Sequence, residues 1–357
     1  MTDARVDKNK EAIMTRDERV LVTGGSGFIA SYCIAQALNE GWRVRTTVRD
    51  LAREPGLRAS IAKLAPVNDR LEVVAADLTA DTGWAAAAAN CTYVLHVASP
   101  FPATSPKDDD ELVRPARDGT LRVLAAARAA GVKRVVMTSS TAAVASGRGG
   151  RDYPFTEADW SDATNQADTS SYERSKTIAE RAAWDWVARE GEGLELVTIC
   201  PGAVLGPVLG SDRSASIDIV ARLLDGSLPG VARFGWPLVD VRDIADLHLR
   251  AMTEPDAAGQ RYIGANAFAW MGDIATVLRE RVPTLAGRVP KRSLPNAVVR
   301  LSGLFDPALR ARLYELAKRR PVSADKARLD LGWTPRSNED AIVDTARSLV
   351  STGAINP

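Results

Sequence analysis

Short apolar runs alternate with longer segments of helical periodicity through the first two hundred residues of the chain. The apolar runs predict buried strands at residues 19–23, 43–48, 71–75, 92–97, 133–138 and 194–199. Helical spacing fills the intervals at residues 28–40, 55–65, 81–89, 109–130 and 169–190. Strands alternating with helices of this length are typical of βαβ units, whose right-handed crossovers build a parallel sheet covered on both faces. The pattern therefore predicts a doubly wound α/β fold.

This alternation ends after Pro201, where proline and glycine become frequent up to Pro237. Further helical segments follow at residues 216–225, 243–253, 271–281, 323–330 and 338–350. We interpret this half as a smaller, mostly helical lobe that binds substrate. The expected organisation is a flexible extension at 1–18, a dinucleotide-binding domain at 19–203 and the smaller lobe at 204–357, with a return of segments to the sheet near 238–265.

The first predicted strand leads directly into a glycine-rich turn, Gly-Gly-Ser-Gly-Phe-Ile-Ala at residues 24–30. Gly24 permits a tight turn, and Gly27 lets the backbone approach a pyrophosphate at the positive end of the following helix. Ala30 is small enough for close packing of helix on strand. Because strand, turn, helix and second strand follow in this order, we expect a dinucleotide site in a Rossmann sheet. The alternative is a structural turn that binds nothing.

Arg49 stands at the end of the second predicted strand, and an arginine at this position bears on the choice of cofactor. NAD-binding enzymes usually place a carboxylate there for the ribose 2′-hydroxyl, whereas an arginine accommodates the 2′-phosphate of NADP. Asp50 follows one position later, where strand alternation aims it elsewhere. Arg45 and Arg53 are expected to add positive charge. NADPH is therefore favoured over NADH, the alternative being that Arg49 is an ordinary surface arginine.

Tyr172 and Lys176 are four residues apart on a predicted helix, so both side chains lie on one face. A phenol with a pKa of about 10 exchanges protons poorly at neutral pH, and a neighbouring ammonium lowers that pKa. The fifth predicted strand ends in Thr138, Ser139 and Ser140, at the sheet edge where α/β proteins bind ligands. Ser140 can stabilise a developing oxyanion there, although a serine at this point can also cap the next turn. We predict Ser140, Tyr172 and Lys176 as the catalytic centre.

Taken with these motifs, the chain resembles the extended short-chain dehydrogenase/reductases over about residues 20–350. More narrowly, it is similar to plant dihydroflavonol reductases, cinnamoyl-CoA reductases and the related bacterial and fungal ketone and aldehyde reductases. The segments that carry the resemblance are VLVTGGSGFIAS (20–31), VRTTVRD (44–50), VLHVASPF (94–101), RVVMTSS (134–140) and TICPGAVLGP (198–207).

The resemblance implies that several of these motifs contact the cofactor. The implied contacts are Gly24, Gly27, Phe28 and Ile29 for the pyrophosphate, Arg49 for the 2′-phosphate, Asp77 and Leu78 for the adenine, Val97, Ala98 and Ser99 for the ribose region, Pro201, Gly202, Ala203 and Val204 for the nicotinamide, and Thr138, Tyr172 and Lys176 at the catalytic end. It also implies that Tyr172 donates the proton, assisted by Lys176, while the cofactor supplies hydride.

Two departures from the family pattern bear on the substrate. Flavonoid reductases carry an asparagine five positions after the catalytic serine, where this chain has Ala145. The Asn-Trp-Tyr-Cys-Tyr signature of cinnamoyl-CoA reductases is also missing before Tyr172. We therefore expect an aldehyde, ketone or ketoester with an apolar body. Residues that either wall its pocket or pack in the interior are Pro100, Phe101, Leu205, Val208, Leu209, Phe234 and Trp236.

Composition narrows the partners further. A net charge of +1 over 357 residues gives no reason to expect nucleic acid or an anionic membrane as a partner. Two histidines and three widely spaced cysteines offer little material for a metal site, and none is predicted. The N-terminus has no apolar signal segment, so a cytoplasmic protein is expected, as a monomer or homodimer.

Three other functions compete with an NADPH-dependent carbonyl reductase. A nucleotide-sugar epimerase or dehydratase would favour an acidic residue in place of Arg49, and dehydratases need an acid/base pair where Thr141 and Ala142 follow the serine. A hydroxysteroid dehydrogenase/isomerase is a nearer rival. An NADP-sensing regulator usually loses the tyrosine, which this chain keeps as Tyr172.

Overall fold

The computed structural model describes residues 16–100, 108–210 and 214–356. Its strands are β1 (Arg19–Val22), β2 (Arg43–Val48), β3 (Leu71–Ala75), β4 (Tyr93–His96), β5 (Arg134–Thr138), β6 (Glu195–Pro201), β7 (Ala203–Leu205), β8 (Gly235–Asp240), β9 (Arg261–Gly264) and β10 (Phe268–Trp270). Its α-helices are α1 (Phe28–Asn39), α2 (Glu54–Ile61), α3 (Trp84–Ala88), α4 (Asp110–Ala129), α5 (Ala142–Ala145), α6 (Ser171–Glu190), α7 (Ala215–Leu224), α8 (Val241–Thr253), α9 (Met271–Arg281), α10 (Asn296–Ser302), α11 (Pro307–Arg310), α12 (Asp325–Leu331) and α13 (Asn338–Ser351).

Seven strands form the large sheet in the order β3-β2-β1-β4-β5-β6-β9, and every neighbouring pair is parallel. The order reverses direction between β1 and β4, and in sheets of this kind the crevice at that reversal is where ligands bind. The six strands predicted from apolar runs all occur here. The prediction of a doubly wound parallel sheet is confirmed.

Helices cover both faces of this sheet. Successive residues of one strand point to opposite faces, and each set packs against a different group of helices. On β1, Val20 and Val22 pack in one apolar cluster with α1 and α8, whereas Leu21 packs in another with α3, α4 and α6. Val136 and Val135 of β5 divide in the same way between the two clusters. Side chains two residues apart thus share a face, as a strand of period two requires.

A second sheet of three strands, in the order β10-β8-β7, forms the centre of the smaller lobe. Helices α7, α9 and α13 pack on it around a separate apolar cluster. These strands were not predicted from the sequence, because β7 and β10 have only three residues and Pro237 interrupts the pattern of β8. The division of the chain after residue 203 stays a prediction.

Residues before β1 pack against the turn that leads into β2. The backbone N–H of Arg16 donates to the Gly41 carbonyl at 2.9 Å, and its guanidinium lies 4.3 Å from the centre of the Trp42 ring. Residues 1–15 of the predicted extension lie outside the described residues. Within the described ranges, we find no helix long and apolar enough to cross a membrane.

Arg134 at the start of β5 is buried and joins the sheet to the end of α8. Its guanidinium donates to the carbonyls of Ala251 at 2.9 Å and Met252 at 3.2 Å, and it pairs with Glu195 at 2.6 Å. The last carbonyls of a helix have no partner within the helix, so a buried helix end needs such donors. One arginine therefore satisfies the end of α8 where it meets the sheet.

Replacing Arg134 with methionine should lower the free energy of unfolding by about 2–4 kcal/mol, because buried carbonyls of α8 lose their donors. Urea unfolding monitored by circular dichroism measures the change. The matched control is Arg128→Met on the exposed side of α4, which should stay within about 0.5 kcal/mol of the parent protein. Equal effects of the two changes would contradict the role of Arg134.

Candidate active site

The turn after β1 has a backbone that only glycine adopts easily. Gly24 has a φ of +72°, and a Cβ there would lie 3.0 Å from the Cα of Ala98. Its N–H donates to the Thr47 hydroxyl at 2.9 Å, and the N–H of Gly27 donates to the Gly24 carbonyl at 2.9 Å. These bonds hold the turn close to the ends of β2 and β4.

Helix α1 begins at this turn without a side-chain cap. Gly27 is its N-cap residue, and the first turn contains no acidic side chain. The first N–H groups of a helix lack partners within the helix and carry its positive dipole end, which favours a phosphate there. A Cβ on Gly27 would lie 3.2 Å from the Gly24 carbonyl oxygen. The backbone of this turn therefore fits the pyrophosphate of a dinucleotide, with Phe28 and Ile29 as the first helical residues.

The end of β2 carries an exposed arginine, Arg49, next to the predicted adenine residues. Hydrogen bonds from Thr79 lower the pKa of Asp77, and the charge of Arg49 contributes to the same shift. Arg53 also lies near the glycine turn, since its guanidinium is 3.5 Å from the Ser26 hydroxyl. Two arginine side chains therefore lie at the edge where a nucleotide would enter.

Arg45 does not add to that positive edge, contrary to expectation. It is buried, donates to the carbonyls of Ala86 at 2.9 Å and Ala89 at 2.8 Å, and pairs with Glu72 at 3.0 Å. Its side chain therefore anchors α3.

Leu78, one of the predicted adenine residues, packs closely against Gly119 of α4. A Cβ added at Gly119 would lie 2.8 Å from the Cβ of Leu78, so there is no room for a larger residue at that position.

His96 fixes the turn formed by Val97, Ala98 and Ser99 after β4. The Thr23 hydroxyl accepts from the Ala98 N–H at 3.0 Å and lies 3.0 Å from Nδ1 of His96. On the other side, Nε2 lies 3.4 Å from the Thr120 hydroxyl, which itself donates to a carbonyl. Nε2 thus carries the proton and Nδ1 accepts from Thr23. Burial lowers the pKa of His96 to about 3, so the ring is neutral.

The structure brings the three predicted catalytic residues together where β5 ends. The Lys176 ammonium donates to the Thr138 carbonyl at 3.3 Å. Tyr172 and Ser140 are joined by a side-chain hydrogen bond. The Ser140 oxygen also accepts from the Ala142 N–H at 3.1 Å, so this serine caps the following turn while facing the tyrosine.

Burial changes the protonation of both groups on the helix. It raises the pKa of Tyr172 above its usual value, and the hydrogen bond from Ser140 acts in the opposite direction. Burial lowers the pKa of Lys176 to about 8, against a raising contribution from the charge of Glu180. At neutral pH the phenol is therefore protonated and most of the lysine is an ammonium, which is the state a proton donor and its charged assistant require.

The start of α6 is held on two sides, and this fixes Tyr172. Ser170 and Glu173 form a reciprocal capping box, in which the Ser170 N–H donates to the Glu173 carboxylate at 2.7 Å. Arg174 donates to Asp109, just before α4, at 2.9 Å. Neither the capping box nor the pair between Arg174 and Asp109 was predicted from the sequence. Ser-x-x-Glu at the start of a helical pattern is nevertheless a known capping signal.

Thr138 contributes its carbonyl to the site, whereas its hydroxyl points to the opposite side. That hydroxyl lies 2.7 Å from Nε2 of His248, whose Nδ1 lies 2.7 Å from the Ile244 carbonyl. Because a carbonyl only accepts, Nδ1 carries the proton and Nε2 accepts from Thr138. Burial lowers the pKa of His248 to about 4. A neutral histidine thus supports the strand end that holds Lys176.

The predicted nicotinamide segment, residues 201–204, runs from β6 into β7 beside Ser140 and Thr141. The Thr141 N–H donates to the Pro201 carbonyl at 2.9 Å, and the Gly202 N–H donates to the Gly264 carbonyl at 3.1 Å. A Cβ on Gly202 would collide with the Pro237 carbonyl, so glycine is required here. Ala203 is partly buried and Val204 is buried.

The predicted walls of the substrate pocket differ in exposure. Leu205 and Phe234 are 1% and 5% exposed and pack in the core of the smaller lobe. Trp236 keeps exposed surface, with its ring centre 6.5 Å from that of Phe234 and 5.4 Å from the Arg312 guanidinium. Pro100 is partly buried, and Phe101 lies outside the described residues.

Comparisons with known proteins agree with this architecture. The family model described as "NAD dependent epimerase/dehydratase family" matches residues 20–264. The chain is 36% identical over 276 residues to cinnamoyl-CoA reductase CAD2 of Medicago truncatula, covering 74% of this chain and 81% of the relative. It is 35% identical over 284 residues to tetraketide alpha-pyrone reductase 1 of Arabidopsis thaliana, covering 77% and 83% respectively.

Among solved structures, the chain is similar to yeast methylglyoxal/isovaleraldehyde reductase Gre2 complexed with NADPH, with a TM-score of 0.79 and 25% sequence identity. The match covers 94% of this chain and 100% of the Gre2 chain. The chain belongs to the NAD dependent epimerase/dehydratase family, in the extended short-chain dehydrogenase/reductase group. Because these relatives are reductases, the chain is an oxidoreductase of that group. The resemblance predicted from the motifs is confirmed.

The two buried histidines should make stability depend on pH. Both are neutral when folded but take up protons when unfolded below about pH 6.5, so the free energy of unfolding should fall as pH drops from 6.5 towards 4. Each contributes a slope of about 1.4 kcal/mol per pH unit. His248→Gln should remove one such contribution, as measured by urea unfolding at several pH values. An unchanged slope would show that His248 titrates normally in the folded protein.

Proposed function

We propose that this protein is an NADPH-dependent carbonyl reductase that converts an aldehyde or ketone into an alcohol, with Tyr172 as proton donor. The observation that carries the proposal is the junction of Ser140, Tyr172 and Lys176 at the end of β5. A protonated phenol, a hydroxyl that bonds to it and an ammonium lie together there. The uncapped start of α1 lies along the same edge of the parallel sheet.

Two features favour NADPH over NADH. Arg49 is exposed at the end of β2, where its guanidinium is available to a 2′-phosphate. The only neighbouring carboxylate in sequence, Asp50, accepts from the Ala52 N–H at 2.9 Å and so caps the short 3₁₀ helix Leu51–Arg53. Two similar solved structures, Gre2 from yeast and from Candida albicans, are complexes with NADPH.

In the proposed mechanism, NADPH supplies the hydride that the carbonyl carbon receives. Tyr172 transfers its phenolic proton to the carbonyl oxygen, which completes the alcohol and leaves a phenolate. Ser140 donates a hydrogen bond to the oxygen as negative charge develops there. The Lys176 ammonium, held by the Thr138 carbonyl, stabilises the phenolate until solvent returns the proton.

The substrate we propose is an aldehyde, ketone or ketoester with an apolar body. Ala145 is 4% exposed and has no polar group with which to orient a polyphenol. Trp236 and Pro100 both retain accessible surface for an apolar substrate. We further propose a cytoplasmic enzyme that acts as a monomer or homodimer.

The rival functions differ from this proposal at identifiable positions. A dehydratase needs an acid/base pair beside the serine, where this chain has Thr141 and Ala142. A hydroxysteroid dehydrogenase/isomerase uses the same kind of site, so substrate tests must distinguish it. For these tests, NADPH consumption is followed with a panel of aldehydes, ketones, ketoesters and steroids. Turnover of none would favour an NADP-sensing regulator.

Tyr172→Phe should reduce NADPH-dependent turnover by roughly 10²- to 10⁴-fold, because the proton donor is lost while the ring remains. Cofactor affinity, measured by quenching of protein fluorescence on NADPH binding, should stay nearly unchanged. Tyr153→Phe is the matched control, since Tyr153 is 66% exposed, and it should retain full activity. Full activity of the Tyr172 variant would disprove the mechanism.

Arg49→Asp should raise the KM for NADPH by on the order of tenfold to hundredfold, because a charge-assisted bond contributes about 1.5–3 kcal/mol. The KM for NADH should change far less. Steady-state kinetics with both cofactors measure the ratio, and Arg189→Asp on the exposed end of α6 controls for overall charge. An unchanged cofactor preference would remove Arg49 from the site.

A further inference from the structure

A buried carboxylate below the catalytic pair has no part in the mechanism described so far. Glu180 is 0% exposed and lies on α6 four residues after Lys176. Tyr172, Lys176 and Glu180 are spaced at four-residue intervals, so they follow one face of the helix. A fully buried carboxylate is costly unless it is paired and hydrogen-bonded, so its partners indicate what it does.

Most of those partners lie on neighbouring strands or directly after one. The hydroxyl of Ser139, the residue after β5, donates to Glu180 at 2.6 Å, and the Thr198 hydroxyl of β6 donates at 2.8 Å. The Arg261 guanidinium of β9 donates through Nε at 2.7 Å and through Nη2 at 3.2 Å. One carboxylate therefore ties the catalytic helix to β5, β6 and β9 at once.

The contacts of β5 show how closely this tie is linked to the catalytic residues. Thr138 holds Lys176 through its carbonyl, Ser139 holds Glu180 through its hydroxyl, and Ser140 bonds to Tyr172. Three consecutive residues, the last of β5 and the two after it, thus engage all three residues on that face of α6. A shift of Glu180 would therefore move the face of α6 that carries Tyr172 and Lys176.

Several polar groups close to Lys176 carry no charge. His96 on β4 and His248 on α8 are neutral, and burial raises the pKa of the Cys200 thiol on β6, which keeps it protonated. Residues 138–140, at and just after the end of β5, contribute hydroxyls and a carbonyl.

Among the described residues, the charged groups that act on this part of α6 include Glu180 and its partner Arg261. Beyond Arg261 lies Glu157, whose carboxylate accepts from the Ile263 N–H at 3.0 Å, and burial raises its pKa. Charges separated by little water interact strongly, so the nearby carboxylate favours the ammonium form of Lys176.

We propose that Glu180 is a positioning residue that holds α6 against the sheet and supplies the counter-charge that keeps Lys176 an ammonium. Arg261 shares that carboxylate and limits its effect on the lysine. The inference rests on the proposed function for its catalytic meaning, whereas the link between Glu180 and the charge of Lys176 is testable without any substrate.

Changing either partner of the ion pair should shift the pKa of Lys176 in opposite directions. Glu180→Gln removes the counter-charge and leaves Arg261 unpaired, so the pKa should fall below about 8 by about one unit or more. Arg261→Met removes the cation that pairs with the carboxylate, so Lys176 experiences more of its negative charge and the pKa should rise. Thr198→Val removes one hydrogen bond but no charge, so the pKa should stay the same.

The pKa is measured by NMR titration of ¹³C-lysine-labelled protein without cofactor, with the Lys176 signal assigned by its absence in Lys176→Met. Each variant is informative without the other, so failure of one to fold leaves the test in place. A role in packing alone predicts no shift, or shifts of the same sign in both variants, and either result would overturn the proposal.

Once a substrate is found, the high-pH limb of kcat/KM should move with the NMR value, downward for Glu180→Gln and upward for Arg261→Met. NMR shifts of the expected sign without turnover of any carbonyl would contradict the proposed function and leave the inference standing. Turnover with an unmoved limb in a folded Glu180→Gln protein would contradict the inference alone.

Discussion

The end of β5 and one face of α6 are joined residue by residue, and the site depends on that junction. Residues 138–140, at and just after the end of β5, hold the lysine, the buried glutamate and the tyrosine of the helix in turn. A capping box and the pair between Arg174 and Asp109 fix the start of the same helix. The proposed proton donor therefore lies on a well-anchored helix, which holds reacting groups more accurately than a loop does.

Two strand ends use the same arrangement of a threonine hydroxyl bonded to a buried, neutral histidine. Thr23 with His96 supports the turn where the cofactor is proposed to bind, and Thr138 with His248 supports the strand end beside Lys176. In each case a polar hydrogen bond is formed without adding charge. Near Lys176, charge comes instead from Glu180 and from Arg261, which pairs with Glu180.

Six of the seven strands of the large sheet, most of its helices and the family were predictable because apolar runs, helical periods and the glycine turn are local signals. The proximity of Ser140, Tyr172 and Lys176 was predictable for the same reason, whereas their catalytic role stays a prediction. The small sheet was not, since strands of three residues bury their side chains only through tertiary packing. Arg45 and Arg134 could equally have been surface residues, because only the fold brings carbonyls to their guanidinium groups. Glu180 extends the four-residue spacing of Tyr172 and Lys176, yet its strand partners are remote in sequence.

The path of the chain between the two sheets has a consequence for how the molecule folds. After β6 the chain enters the small sheet through β7 and β8, returns through α8 and β9 to the large sheet, and leaves again through β10. A polypeptide ending near residue 203 would lack the helix that covers α1 and the edge strand that carries Arg261. Neither half is a continuous length of chain, so the nucleotide-binding layer is complete only after residues up to 264 have been synthesised, and the two lobes are expected to fold as one cooperative unit.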